Sequence, residues 1–244
     1  MVVSLRVASV VAFLLLWEWA AWKPISFNFP SPRATALALG SLLASGALLQ
    51  ATLTSLQSLA LGFGVAVLIG VPFGLLMGVA RPVGRVARVY IDLLIALPTA
   101  AVIPLVILSF GISVVSSAFI VFLFSAPFVV MNAYGGVRDV RPRLYEMARA
   151  FDASWGQIFT RIVLPSALPM IFAGLRYGLS RAFVGLIIAE LLLSPFGLGR
   201  LIMTARSMFE HDRMFATVLW TLILAGAALT ALARLETRLL RWRP

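Results

Sequence analysis

Glu146–Pro165 reads EMARAFDASWGQIFTRIVLP, the one long polar, helix-coded passage in a chain that is otherwise close to continuous hydrocarbon. Tyr145 to Phe151 are helix formers, Asp152 and Ala153 interrupt them, and Ser154 stands three residues before Gln157. That Ser-x-x-Gln spacing is a capping box, in which each side chain satisfies a backbone N–H of the other residue, so it opens a second helix. Ala153 and Ile158 flank it where a hydrophobic staple would close. Pro165 disfavours the helical conformation in the residue before it, which predicts that the second helix stops near Leu164. The product is a helix, a tight turn and a short helix. Such a unit is either a handle for a soluble partner or an amphipathic connector resting on lipid headgroups, and the pattern alone leaves both open.

Hydrophobic residues make up 61% of the 244 positions and charged residues 12%, with a mean hydropathy of +1.03. Soluble domains run near roughly 45–50% apolar and 25% charged, so this composition is that of an integral membrane protein with the bilayer as its solvent. A net charge of +11 would suggest nucleic acid in a soluble chain. Here the arginines cluster in short segments between apolar runs, which is the pattern of cytoplasmic loops and excludes a nucleic-acid partner. The absence of cysteine removes disulfides, iron–sulfur clusters and thiolate zinc sites, and a single histidine leaves little scope for imidazole ligation. No metal site and no cofactor are expected on the chain.

The hydropathy predicts an all-α integral membrane protein: one transmembrane domain over 1–244 with six transmembrane helices near 7–22, 51–79, 91–110, 114–131, 175–193 and 215–233. Trp17, Trp19 and Trp22 crowd the end of the first run, where a cleavable signal needs small residues; it is read as a retained helix with interfacial tryptophans. Lys23, Pro24, Pro30 and Pro32 predict an extended loop that gives way to a modest helical stretch before Gln50. In the second span Gly70, Gly74 and Gly78 recur every four residues, a face without side chains that lets another helix approach closely. Arg81, Arg85 and Arg88 predict a cytoplasmic turn, and Asp92, one helical turn after Arg88, predicts a surface ion pair.

Pro98 and Pro104 interrupt the third span and Pro127 the fourth, freeing backbone carbonyls that must find partners in protein or a wet cavity. Two adjacent proline-broken spans hint at a translocation path, with Ser109, Ser125 and Asn132 as polar groups to line it. In the fifth span Arg176 and Arg181 are expected at the inner end, structural and snorkelling to the cytoplasm, while Glu190 lies near the outer end and must be wet or paired with another helix. Ser194 to Arg213 is predicted as an outer loop holding Glu210, His211 and Asp212.

With both termini inside, Arg6, Arg81, Arg85, Arg88, Arg138, Arg141, Arg143, Arg149, Arg161, Arg234, Arg238, Arg241 and Arg243 are cytoplasmic, against Lys23, Arg33, Arg200, Arg206 and Arg213 outside. That asymmetry puts the loop 133–166 in the cytoplasm.

Glu146, Ala148, Ile162, Leu164 and Pro165 keep the spacing of the EAA loop of bacterial ABC importer permeases, which the chain resembles: Glu-Ala-Ala, three residues, Gly, nine residues, Ile, one residue, Leu-Pro. Met147 replaces the first alanine and Asp152 the glycine. A glycine there suits a turn with positive φ, which aspartate tolerates better than most residues. Phe29–Pro32, Gly70–Gly78, Ile103–Ile112 and the stretch Leu168–Phe215 are similar to the nitrate, sulfonate and taurine branch, which has counterparts for Arg176, Arg181 and Glu190. The resemblance implies a subunit of the bacterial inner membrane that pairs with a second permease copy, an ABC ATPase dimer and an extracytoplasmic solute-binding protein. It implies that Glu146, Ala148, Asp152, Ala153, Ser154, Gln157, Ile162, Leu164 and Pro165 couple to the ATPase, and that the solute is small and anionic. MgATP would sit on the partner, since the chain has no Walker motif.

Two rivals are weighed against this. An ion-coupled secondary transporter needs membrane-embedded carboxylates, and only Glu190 is a candidate; uptake that survives loss of a partner ATPase would favour it. An intramembrane hydrolase needs a nucleophile and base within reach, yet His211 falls in the predicted outer loop beside Glu210 and Asp212. ATP-independent activity lost in His211→Ala would favour that.

Overall fold

The computed structural model describes residues 2–22, 29–193 and 196–240. Lys23 and Pro24 of the expected proline-rich loop, Ser194 of the expected outer loop, and Arg241 and Arg243 of the tail lie outside the described residues. The described residues are helical throughout, without strands: α1 Val2–Trp22, α2 Pro32–Ala44, α3 Ala47–Val79, α4 Arg81–Ala96, α5 Thr99–Phe110, α6 Val114–Arg138, α7 Pro142–Ala150, α8 Trp155–Ile158, a π-helical turn Phe159–Val163, α9 Leu164–Leu193, α10 Gly197–Ser207 and α11 His211–Leu239. Among them, four helices are long and apolar enough to cross a membrane, and five if the bent pair α4–α5 counts as one broken span. The apolar part of α1, Ala8–Trp22, is shorter.

Several boundaries differ from the sequence reading, each for a local reason. Arg81, Arg85 and Arg88 are not a turn: only Ala80 is non-helical (φ −93°, ψ 94°), and Pro82 suits the first turn of α4. Arg88 and Asp92 then pair on α4 at 3.5 Å, one turn apart. The break comes at Leu97, the residue before Pro98, held at φ −62°, ψ 130°, and the two helices meet there at 101°. α6 runs on past Met131 to Arg138, so Asn132 lies inside it. The expected outer loop contains α10, whose Leu198, Ile202 and Ala205 recur at helical spacing and are buried.

The chain divides into two compact units, Met1–Ser55 with Ser194–Leu224, and Leu56–Leu193 with Ala225–Pro244. In the first, the indole N–H of Trp17 donates to the Pro30 carbonyl at 3.0 Å, and Trp17, Phe29 and Phe215 form a ring cluster with Phe29 edge-on to Phe215 at 5.4 Å. Ser31 caps α2 by accepting from the Ala34 N–H. Deeper in this unit, the Trp220 indole donates to the Thr52 hydroxyl at 2.9 Å, and the buried Leu198 N–H donates to Ser55 Oγ at 2.9 Å. These bonds satisfy polar groups that the surrounding apolar side chains cannot.

In the second unit α6 is the central helix, packed between α3 and α9. The Gly70, Gly74 and Gly78 face of α3 lies against it: a Cβ at Gly74 would strike the Val130 carbonyl oxygen and come within 2.7 Å of Ala133 Cβ. On the other side α9 presents Gly174 and Gly178, where a Cβ would come within 2.6 Å of Asn132 Cβ and 2.7 Å of Val129 Cγ2. The second pair is a further small-xxx-small stripe, readable in GLRYG and missed in the sequence. Backbones this close gain dispersion along their length, the main attraction between helices surrounded by lipid.

Candidate functional site

The 133–166 segment is built as two short helices on a buried base. α7 ends at Phe151 in a Schellman motif: the Ala153 N–H donates to the Ala148 carbonyl at 3.0 Å and the Asp152 N–H to the Arg149 carbonyl at 3.0 Å. The motif requires a left-handed residue, and Asp152 has φ +52°. Ser154 and Gln157 then form the capping box reciprocally, with the Ser154 N–H donating to Gln157 Oε1 at 2.8 Å and the Gln157 N–H to Ser154 Oγ at 3.4 Å. Turn and cap together set the angle at which α8 leaves α7.

α8 does not stop at Leu164. The chain continues through the π turn Phe159–Val163, closed by the Leu164 N–H on the Phe159 carbonyl, directly into α9. Pro165 lacks an N–H and its ring crowds the carbonyl four residues back, and the wider turn just before it relieves that conflict without a break. The loop and the long helix α9 are thus mechanically continuous.

The base is apolar. Ala148 of α7, Ile158 of α8 and Val163 of the π turn are buried with Ala133, Val137, Val140, Ala167 and Ile171, and Ala153, Ile162 and Leu164 pack partly against them. The opposite face is open: Glu146 and Arg149 are exposed, and so are Met147, Phe151 (81%) and Trp155. Large apolar side chains are thus exposed on the most polar stretch of the chain, a pattern that suits a partner protein or a lipid surface, and the sequence reading overlooked them. Tyr145 stacks on Trp155 with centroids 6.5 Å apart, and burial pushes the Tyr145 hydroxyl above its ordinary pKa. Beside this face is a cavity of about 590 Å³ lined by Arg81, Arg138, Glu146, Arg149 and Trp155, among others.

The residues expected along a path are scattered. Pro98 and Pro104 are exposed, and exposed Ser109 turns its hydroxyl onto the Leu105 carbonyl. Ser125 is fully buried and donates to the Val121 carbonyl at 2.8 Å. Asn132 is half-buried, its Nδ2 donating to the Phe128 carbonyl at 2.8 Å. Glu190 is fully buried. The two arginines of α9 do not share one environment. Arg176 pairs with Glu236 of α11 at 2.7 Å, a partner 60 residues away that no local pattern indicates. Arg181 lies over the Phe128 ring at 5.1 Å. Among the described residues no cluster of three or more His, Asp or Glu side chains is placed to hold a metal ion.

Residues 70–241 match the family model of the binding-protein-dependent transport system inner membrane component. The chain belongs to that family. It is a multi-pass permease subunit of an ABC importer in the inner membrane. It is 34% identical, over 88% of its length and 78% of the relative's, to a Bacillus subtilis (strain 168) protein named as an aliphatic sulfonates transport permease. It is 31% identical to the taurine transport system permease protein TauC of Escherichia coli (strain K12), over 98% and 90%. It is 34% identical to the riboflavin transport system permease protein RibX of Chloroflexus aurantiacus (strain ATCC 29366 / DSM 635 / J-10-fl), over 96% and 88%. In fold it resembles a chain of the inward-facing MetNI methionine ABC transporter, with TM-score 0.61 and 20% identity over 78% and 95% of the two chains. A chain of an amino acid ABC transporter aligns with TM-score 0.64 and 18% identity, over 83% and 97%.

Proposed function

We propose that this permease moves a small anionic solute of the sulfonate, taurine or nitrate type into the cytoplasm by alternating access, driven by ATP hydrolysis on a separate ATPase. Two copies of the chain form the pathway, an extracytoplasmic binding protein delivers the solute, and the termini and the 133–166 loop face the cytoplasm. MgATP stays on the partner. The substrate class follows the taurine and sulfonate relatives; the riboflavin relative is equally similar overall, so similarity alone does not select the solute.

The observation that carries the coupling role is the continuity of α8, the π turn and α9 above a buried base, with an exposed apolar and charged face on the far side. A partner that grips this face pulls on a long helix and not on a slack loop, which is rigid-body coupling between packed elements. Glu146 lies on the gripped face, Ala148, Ile162, Leu164 and Pro165 hold the base and its junction with α9, and Asp152, Ala153, Ser154 and Gln157 set the angle between the two helices.

Glu146→Arg reverses a charge on the face, and Ala153→Glu forces a carboxylate against the base. Both are expected to leave membrane insertion intact while lowering ATPase co-purification and solute uptake. Unchanged co-purification and uptake in both variants would defeat the docking assignment.

A further inference from the structure

Two arginines lie in α9, a helix long and apolar enough to cross a membrane, and among the described residues one of them has a counter-charge. Arg176 is neutralised by Glu236. Arg181 is five residues further on, about 7.5 Å along the axis, and among the described residues it makes no ion pair. Its ring contact is the face of Phe128, a quadrupole attraction that leaves the charge without a counter-ion among the described residues. The side chain is exposed, open to water, to a solute or to another chain.

The face it occupies points the same way. Tyr177, Ser180, Arg181 and Val184 recur at helical spacing and are all exposed, while Leu179, Ala182, Phe183 and Leu186 are buried on the opposite side. A phenol, a hydroxyl and a guanidinium along one uncovered stripe of a spanning helix suit water or protein and not lipid tails. On the α6 side of the seam, one turn from Phe128, Asn132 uses one amide hydrogen on the Phe128 carbonyl and keeps its oxygen and second hydrogen.

We propose that Arg181 is the contact for the anionic group of the solute inside the translocation pathway, with Tyr177 and Ser180 offering hydroxyls on the same face. The ligand class is a small organic sulfonate or carboxylate, whose paired oxygens match the guanidinium fork. An arginine packed against an aromatic face keeps its N–H donors for such an anion and loses less freedom on binding it. The inference rests on the reading of this chain as an importer of sulfonate-type solutes.

The chain has no cysteine, so Arg181→Cys puts its only thiol at this point. In proteoliposomes holding the assembled transporter with its ATPase and binding protein, Arg181→Cys and Arg181→Gln are expected to lower uptake of labelled taurine by about tenfold or more, with Arg181→Lys well above both. Aminoethyl methanethiosulfonate, which restores a cation, should recover much of the Cys variant's uptake, and the sulfonatoethyl reagent should not. A thiol that neither aqueous reagent reaches, uptake equal to wild type in Arg181→Gln, or loss of ATPase co-purification in all three variants would each overturn the inference. Wild-type transporter that accumulates neither taurine nor ethanesulfonate would instead remove the substrate reading beneath it, and the inference with it.

Discussion

Two helices of this chain end in the same hydrogen-bond pattern with a residue other than glycine in the left-handed position, and the two ends are stabilised differently. At the end of α7, Asp152 has φ +52°. At the end of α10, Phe209 has φ +57°, with the Glu210 N–H on the Ala205 carbonyl at 2.8 Å and the Phe209 N–H on the Arg206 carbonyl at 3.2 Å. Aspartate is among the residues that enter this region at modest cost, whereas a bulky aromatic is a true outlier there. The α7 turn is also followed at once by a capping box. Phe209 is 78% exposed, and its ring contact among the described residues is the edge of His211 at 6.3 Å. The comparison shows that one hydrogen-bond pattern can close over a residue suited to the left-handed region in one place and over a residue ill-suited to it in another.

The largest expected effect comes from breaking the α7 turn outright. Asp152→Pro cannot reach a positive φ and loses the N–H given to Arg149, and it is expected to cost about 3 kcal/mol or more. Thermal unfolding of the purified chain in detergent should show the loss, and ATPase co-purification should fall with it. A wild-type unfolding midpoint would mean that the turn does not hold the loop.

Removing the cap has a smaller effect. Ser154→Ala leaves the Gln157 N–H without its side-chain acceptor and is expected to cost about 1 kcal/mol. An unchanged midpoint would show that the turn alone sets the angle between α7 and α8.

The direct test of the comparison is to place glycine at both turns. Phe209→Gly is expected to gain about 0.5–1 kcal/mol, because relief of the left-handed aromatic exceeds the added freedom of the unfolded chain. Asp152→Gly is expected to gain only a few tenths. Reversal of that order in paired unfolding measurements would break the distinction between the two turns.

The smallest effect is a pH dependence confined to the α7–α8 site. Burial raises the Tyr145 pKa in the folded state, so the folded form holds its proton more tightly than the unfolded form. Tyr145 therefore contributes its full stability below the ordinary tyrosine pKa of about 10, and that contribution is lost as pH rises toward the folded-state value. Tyr145→Phe should flatten this part of the unfolding profile while leaving the neutral-pH midpoint nearly unchanged. A variant profile that falls as steeply as wild type would show that other groups carry the alkaline loss.

Much of the α7–α8 site is legible in the sequence because its devices are local. The capping box needs only Ser154 and Gln157, and the positive φ at Asp152 follows from its place at a position where glycine is usual. The same local reasoning fails at Pro165. A proline rule speaks of the preceding residue's dihedral angles and is silent on a π turn that relieves the conflict over five residues. It fails again at α10, where buried apolar spacing lies within a stretch that reads as loop.

What the sequence by itself determined is the membrane class, the helical content and the chemistry of the turn between α7 and α8. All of these depend on composition or on residues within about one helical turn of each other. What only the tertiary structure decided is which side chains meet. Arg176 finds Glu236, Ser125 turns inward, the glycines of α9 admit α6, and Arg181 is left over Phe128 with no counter-charge among the described residues. Nothing in the local sequence distinguishes Arg176 from Arg181; which face of a helix becomes covered depends on neighbours far away in the chain, and that packing sets the fate of each charge.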